Sequence, residues 1–249
     1  MFNVVIQLGA ILAVVVLYWS KLWPFHRKRI PQRSWFAQQS TNGFVGGLQR
    51  FGDRYCCMDK IVMWLKIAVS CLPAMLIGLP LNDWLDKHFY NPTVVALMLL
   101  LYGAGFLFVE RYNRSRKPRV NSIAALRWSD ALLIGVFQVL ALIPGTSRSG
   151  ATILGGILIG TSREVAAEYT FFLAVPVMFG ASLLKIVKFG AISGTELGVL
   201  LVGMAVAFGV SILAIRFLMG YIRKHDFTAF GWYRIGLGLL VLLYFYVIR

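Results

Sequence analysis

The chain has 249 residues, of which 59% are hydrophobic and only 14% charged. A soluble domain carries about 25% charged residues, so this chain lacks the polar surface to stand in water. Its long apolar runs are also not the alternating strands of a transmembrane barrel. The net charge of +15 falls between the apolar runs, where it reads as cytoplasmic loop charge facing anionic headgroups, with no nucleic acid as partner.

The fold class is therefore all-α, a polytopic helical membrane protein whose first partner is the bilayer. A crossing needs about 20 residues, and in chain order the candidate spans are residues 2–19, 61–79, 92–109, 165–188, 196–217 and 232–248. Pro73 and Pro176 fall inside two of them. Three basic stretches separate the spans, at 21–60, 111–127 and 216–224, whereas 82–91 carries Asp83 and Asp86 against Lys87. Positive-inside counting puts the basic stretches in the cytoplasm and 82–91 outside. The first span then runs inward and the C-terminus lies outside.

Residues 130–160 do not fit a single crossing. The apolar halves 130–143 and 151–160 are each too short to span, and Pro144-Gly145 separates them. They form a re-entrant hairpin that enters and leaves on the cytoplasmic side. Only that arrangement keeps the stretch near Arg216 inside. The order is then three spans, hairpin, three spans, within one integral-membrane domain, 1–249. An odd number of spans per unit gives an inverted repeat: 1–109 as a truncated first repeat whose hairpin is missing, and 128–249 as the second. On this reading about forty residues would precede Met1.

The hairpin tip carries the chemistry. In Ile143-Pro144-Gly145-Thr146-Ser147-Arg148-Ser149-Gly150-Ala151-Thr152, an arginine lies at membrane depth, where insertion costs roughly 3 kcal/mol unless carbonyls, water or an anion meet it. Amides at the start of the returning helix carry partial positive charge and seat phosphate. The hydroxyls of Thr146, Ser147, Ser149 and Thr152 can donate to phosphoryl oxygens, Gly145 and Gly150 let backbone come close, and Arg148 adds a forked cation. Gln7 and Gln138, inside apolar segments, are further candidates to line the cavity. Cys56, Cys57 and Cys71 and the separated His26, His88 and His225 have no metal-ligand spacing. Asp130 reads as a helix cap or an interfacial charge, Glu164 and Glu168 as pairing or capping at the cytoplasmic edge, and Glu110 as facing Arg111 and Arg114 at the interface.

The stretch from Pro144 to Thr152 resembles, nearly letter for letter, the second signature of the bacitracin-resistance type of undecaprenyl-diphosphate phosphatase. Gly135-Val136-Phe137-Gln138, Phe172-Leu173-Ala174-Val175-Pro176 and the opening Val4 to Val15 are also similar to that family. The resemblance implies hydrolysis of undecaprenyl diphosphate to undecaprenyl phosphate and inorganic phosphate, recycling the lipid carrier of peptidoglycan synthesis. It implies Arg148 and Ser147 as catalytic residues, with Gly145, Thr146, Ser149, Gly150, Thr152, Gln7 and Gln138 binding the polyprenyl diphosphate. It further implies Mg²⁺, a multi-pass position in the bacterial plasma membrane, a site opening to the outer side, and room for a homodimer. The family's first signature, a glutamate-rich run followed by Pro-Val-Ser-Ser-Thr-Gly-His, would precede Phe2. The expectation is thus no metal ligand in this chain and weak or absent activity. The rival reading, from inverted repeats with broken helices, is a transporter or flippase for an anionic or lipid-phosphate substrate.

Overall fold

The computed structural model describes residues 6–25, 57–189 and 194–248. Residues 2–5 of the first expected span and most of the 21–60 basic stretch, including His26 and Cys56, lie outside the described residues. All of the named elements are helical: α1 (Gln7–Leu17), α2 (Trp19–Leu22), α3 (Met58–Phe89), α4 (Pro92–Asn113), α5 (Trp128–Val139), α6 (Arg148–Leu158), α7 (Arg163–Phe189), α8 (Gly194–Lys224) and α9 (Thr228–Leu243). Short 3-10 turns, Ile123–Ala125 and Leu140–Leu142, precede α5 and follow it. Five helices, drawn from α3, α4, α7, α8 and α9, are long and apolar enough to cross a membrane. The protein is an integral membrane protein.

Several expected boundaries move. The stretch 82–91 is not a loop: α3 stays helical through Phe89 and the turn shrinks to Tyr90 and Asn91. Asn91 explains the restart, because its side chain accepts the Val94 amide at 2.9 Å, and Pro92 at the first helical position needs no hydrogen bond. The basic stretch 216–224 is likewise helical to Lys224, so its charges ride the last turns of α8, where cations suit the helix dipole. The first apolar run breaks at Tyr18, between α1 and α2.

α7 is the central helix. Its Tyr169, Phe172 and Leu173 are fully buried against Ile67 of α3, Ile134 of α5 and Ala13 and Val14 of α1. A second cluster sets α6 between α4 and α7, with Ile153 and Ile157 against Phe106, Val109, Ala166 and Ala167. Glycines set the closest crossings: a Cβ on Gly135 of α5 would come within 2.5 Å of the Ser70 carbonyl of α3, and one on Gly103 of α4 within 2.8 Å of the Gly231 carbonyl of α9. Such small-residue contacts drive helix association in lipid, where apolar burial alone does not. The outer face of α8, with Val202, Val210, Leu213 and Phe217, stays exposed and apolar, as a lipid-facing surface does.

The two halves 130–143 and 151–160 form a helical hairpin, joined at its base. The amides of Arg119 and Val120 both donate to the Gly160 carbonyl, at 2.8 and 3.1 Å, and Ser162 donates back to Val120 at 2.9 Å. Arg119 also reaches Asp130, 2.6 Å away, at the entry. Asp130 in turn accepts the Arg127 amide at 2.9 Å, so it is the cap the sequence indicated. Entry and exit therefore sit side by side, and α5 and α6 run in and back.

Candidate active site

The tip of this hairpin is built by sequence-local rules. Gly145 has φ +87, a conformation that L side chains rarely adopt. A Cβ there would also lie 2.6 Å from Val95 Cα in the first turn of α4. The chain then turns into α6 with Ser147 as N-cap, its Oγ accepting the Gly150 amide at 3.2 Å and contacting Ser149 Oγ at 3.0 Å. The Ala151 amide closes on the Ser147 carbonyl at 2.9 Å. The amides of Arg148 and Ser149 have no helical carbonyl behind them, the usual state of a first turn. Arg148 is therefore the first residue of the returning helix, three positions ahead of the apolar half 151–160.

The Arg148 side chain meets no carboxylate among the described residues. Its Nη2 lies 3.3 Å from Met178 Sδ, a weak acceptor. A half-buried guanidinium held by one thioether is under-satisfied, and an anion would complete it.

A second arginine, which the sequence reading missed, reaches the tip. Arg234 of α9 donates from Nη2 to the Gly145 carbonyl at 3.1 Å, and its guanidinium lies 5.7 Å from the Tyr102 ring centroid. A Cβ on Gly150 would come within 3.0 Å of Arg234 Nη1, so Gly150 lets this cation lie against the first turn of α6. Arg234 Nε is buried with no hydrogen-bond partner among the described residues. Arg148, the first residue of α6, and Arg234, against Gly145 and Gly150, thus both belong to the hairpin tip, with no acidic side chain paired to either among the described residues.

The remaining predicted residues divide. Thr146 is buried beside Tyr102 under the turn, and Ser149 is exposed at the helix start. Thr152 is buried, its hydroxyl contacting the carbonyls of Arg148 and Ser149 at 3.0 and 3.3 Å and Thr170 Oγ1 at 2.9 Å. It therefore braces α6 against α7. Gln138 is buried in α5 with Oε1 unpaired among the described residues. Gln7 is exposed in the first turn of α1, and no polar contact ties it to the cradle among the described residues. Glu110 does not face Arg111 or Arg114. It is buried and pairs with Arg163, whose Nε lies 2.9 and 3.0 Å from its two oxygens.

The family described as Bacitracin resistance protein BacA matches residues 1–240. An undecaprenyl-diphosphatase of Acetivibrio thermocellus is 55% identical, over all of this chain and 84% of its own length. One from Desulfitobacterium hafniense is 54% identical over 98% of the chain and 81% of its own length. One from Enterococcus faecalis is 51% identical over the same shares.

Proposed function

Because the chain belongs to the family of the bacitracin resistance protein BacA, we infer that it is an undecaprenyl-diphosphatase: it cleaves inorganic phosphate from undecaprenyl diphosphate and returns the lipid carrier to peptidoglycan synthesis. The observation that carries the reading is a pair of arginines, Arg148 and Arg234, at the hairpin tip, neither with an acidic partner among the described residues. The polyprenyl tail stays in lipid while the diphosphate enters the cradle. Arg148 and the free amides of α6 meet the terminal phosphoryl oxygens, and Arg234 neutralises charge from the α9 side. Water adds its oxygen to the terminal phosphorus as the bridging P–O bond breaks, and undecaprenyl phosphate leaves with the bond pair. Groups aimed where charge grows supply most of such an acceleration.

Ser147 is the other catalytic residue of this reading. Its Oγ already accepts an amide hydrogen at a helix N-terminus, and both features favour negative charge on that oxygen. Ser149 shares the hydroxyl pair, and Gly145, Thr146, Gly150 and Thr152 shape the seat. Gln138 faces burial with a spare acceptor, and Gln7 is kept as a binding residue on the resemblance alone. Mg²⁺ does not fit this cradle. Guanidiniums repel a dication, and among the described residues no three His, Cys, Asp or Glu side chains come together. No step above runs through a metal.

The site opens outward on this reading, in the plasma membrane. Support comes from Arg116, Lys117, Arg119, Arg163 and Arg223 at the hairpin base, which positive-inside counting assigns to the cytoplasm, and from the tip's contact with the opposite end of α4. The inverted repeat is proposed on the same footing. It is supported by the antiparallel crossing of α4 and α9, the third helix of each unit.

The test is phosphate release from undecaprenyl diphosphate in detergent micelles. The expected result is turnover by the wild-type chain and a loss of about 100-fold or more in Arg148→Ala. Lipid flipping without phosphate release would instead make the protein a transporter.

A further inference from the structure

At the other end of the hairpin, about 16 Å from Arg148 along α6, lies a separate cavity of about 630 Å³. Three chain segments wall it: residues 116–119 after α4, the hairpin exit leading into α7, and the last turn of α8. They bring Arg116, Lys117, Arg119, Arg163 and Arg223 to one opening, with Glu164 as the acidic side chain on the wall. Three of the cations are held by carboxylates: Arg119 by Asp130, Arg163 by Glu110, and Arg223 by Glu164 at 3.0 Å. These pairs fix the walls. Arg116, stacked 3.9 Å over Tyr112, and Lys117 remain, and neither meets a carboxylate among the described residues.

Two further observations point to a ligand. The N-terminus of α7, capped by Ser162, opens at this cavity and favours an anion. The lining is also amphipathic, since Leu158 and Ile222 stand beside the cations. A free phosphate needs only the cations and the helix end. A phospholipid also needs an apolar wall for its glycerol and first methylenes.

We propose that this cavity binds the phosphodiester headgroup of an anionic membrane lipid, and that the lipid braces the base of the hairpin. The phosphate lies between Arg116, Lys117 and the α7 amides, bridging the 116–119 segment to the hairpin exit. This is a second phosphate site on the opposite side from the cradle, and it does not rest on the reaction proposed above.

The experiment is thermal unfolding of the purified full chain in dodecyl maltoside micelles. Phosphatidylglycerol, phosphatidylcholine and inorganic phosphate are added separately at equal phosphate concentration. Phosphatidylglycerol is expected to raise the midpoint by roughly 5 °C, and the other two by less than a third of that. Arg116→Gln with Lys117→Gln should remove at least half of the shift without lowering the lipid-free midpoint, since neither side chain is buried or ion-paired. Arg114→Gln with Lys224→Gln, outside the cavity, should leave the shift intact. Equal shifts with phosphatidylcholine would overturn the proposal. So would equal shifts with inorganic phosphate, which would make it a soluble-anion site, or an equal loss in the control pair, which would make it a diffuse surface-charge effect. If the cavity pair lowers the lipid-free midpoint, Arg116→Lys decides: retention of the shift supports the headgroup site and its loss refutes it.

Discussion

Arg234 reaches the cradle from 89 residues beyond Gly145, on a helix whose other side chains mostly face lipid. Its guanidinium both holds the tip's carbonyl and adds charge against the first turn of α6. Arg234→Ala should therefore lower kcat/KM for phosphate release about 100-fold, with part recovered in Arg234→Lys, which keeps the charge and loses the fork. The sequence held a signal for it, an arginine inside an apolar run, but nothing in the local sequence ties that run to the hairpin tip. Which cations share a site depends on how α9 packs on α4, and that is set by glycines such as Gly103 and Gly231 rather than by any motif. Gly145 is a second residue-scale case. Gly145→Ala meets both a left-handed backbone and the Val95 main chain, and should destabilise the protein by roughly 2 kcal/mol. Gly180→Ala in α7 has open space around it and should be neutral or stabilising by roughly 0.5 kcal/mol. Thermal midpoints of the two variants check the contrast.

At the scale of the element, the hairpin was legible because length alone forbids its halves from crossing. Its cap at Asp130 was legible too. Its exact helix start was not: Thr-Ser-Arg-Ser reads as loop until Ser147 is seen capping, which draws Arg148 and Ser149 into the first turn. The same kind of error lengthened the loops at 82–91 and 216–224, where charged residues continue helices past the apolar span. The base clamp yields a prediction of its own. Asp130→Asn weakens the Arg119 contact while keeping an acceptor for the Arg127 amide. With Arg119 partly exposed, the loss should be about 1 to 2 kcal/mol. It should appear as a lower thermal midpoint and as faster amide exchange at the start of α5 and in 160–162, ahead of global unfolding.

Across the whole molecule, most of the described charges gather at the end of the bundle that holds the hairpin base. Glu110 pins the charged end: besides Arg163 it accepts the Phe227 amide at 3.1 Å, joining α4, α7 and the turn into α9. Glu110→Gln should cost about 3 kcal/mol because it leaves a partly buried guanidinium unpaired. Glu164→Gln, which breaks the exposed pair with Arg223, should cost no more than about 0.5 kcal/mol. Denaturation in mild detergent distinguishes them. The sequence identified both glutamates as edge residues but gave Glu110 its chain neighbours Arg111 and Arg114 as partners, whereas the guanidinium that pairs with it is that of Arg163, at the start of α7.

The stitching of Gly160 to residues 119 and 120 makes α6 a ruler. Its eleven residues set Arg148 about 16 Å above the base, in a hydrocarbon layer about 30 Å thick. That height belongs to the protein, whereas the height at which a lipid presents its diphosphate belongs to the membrane. Reconstitution in bilayers of stepped acyl length should therefore give turnover with a maximum at one thickness, falling on both sides. A flat profile would show that the substrate finds its depth without reference to the lipid around it.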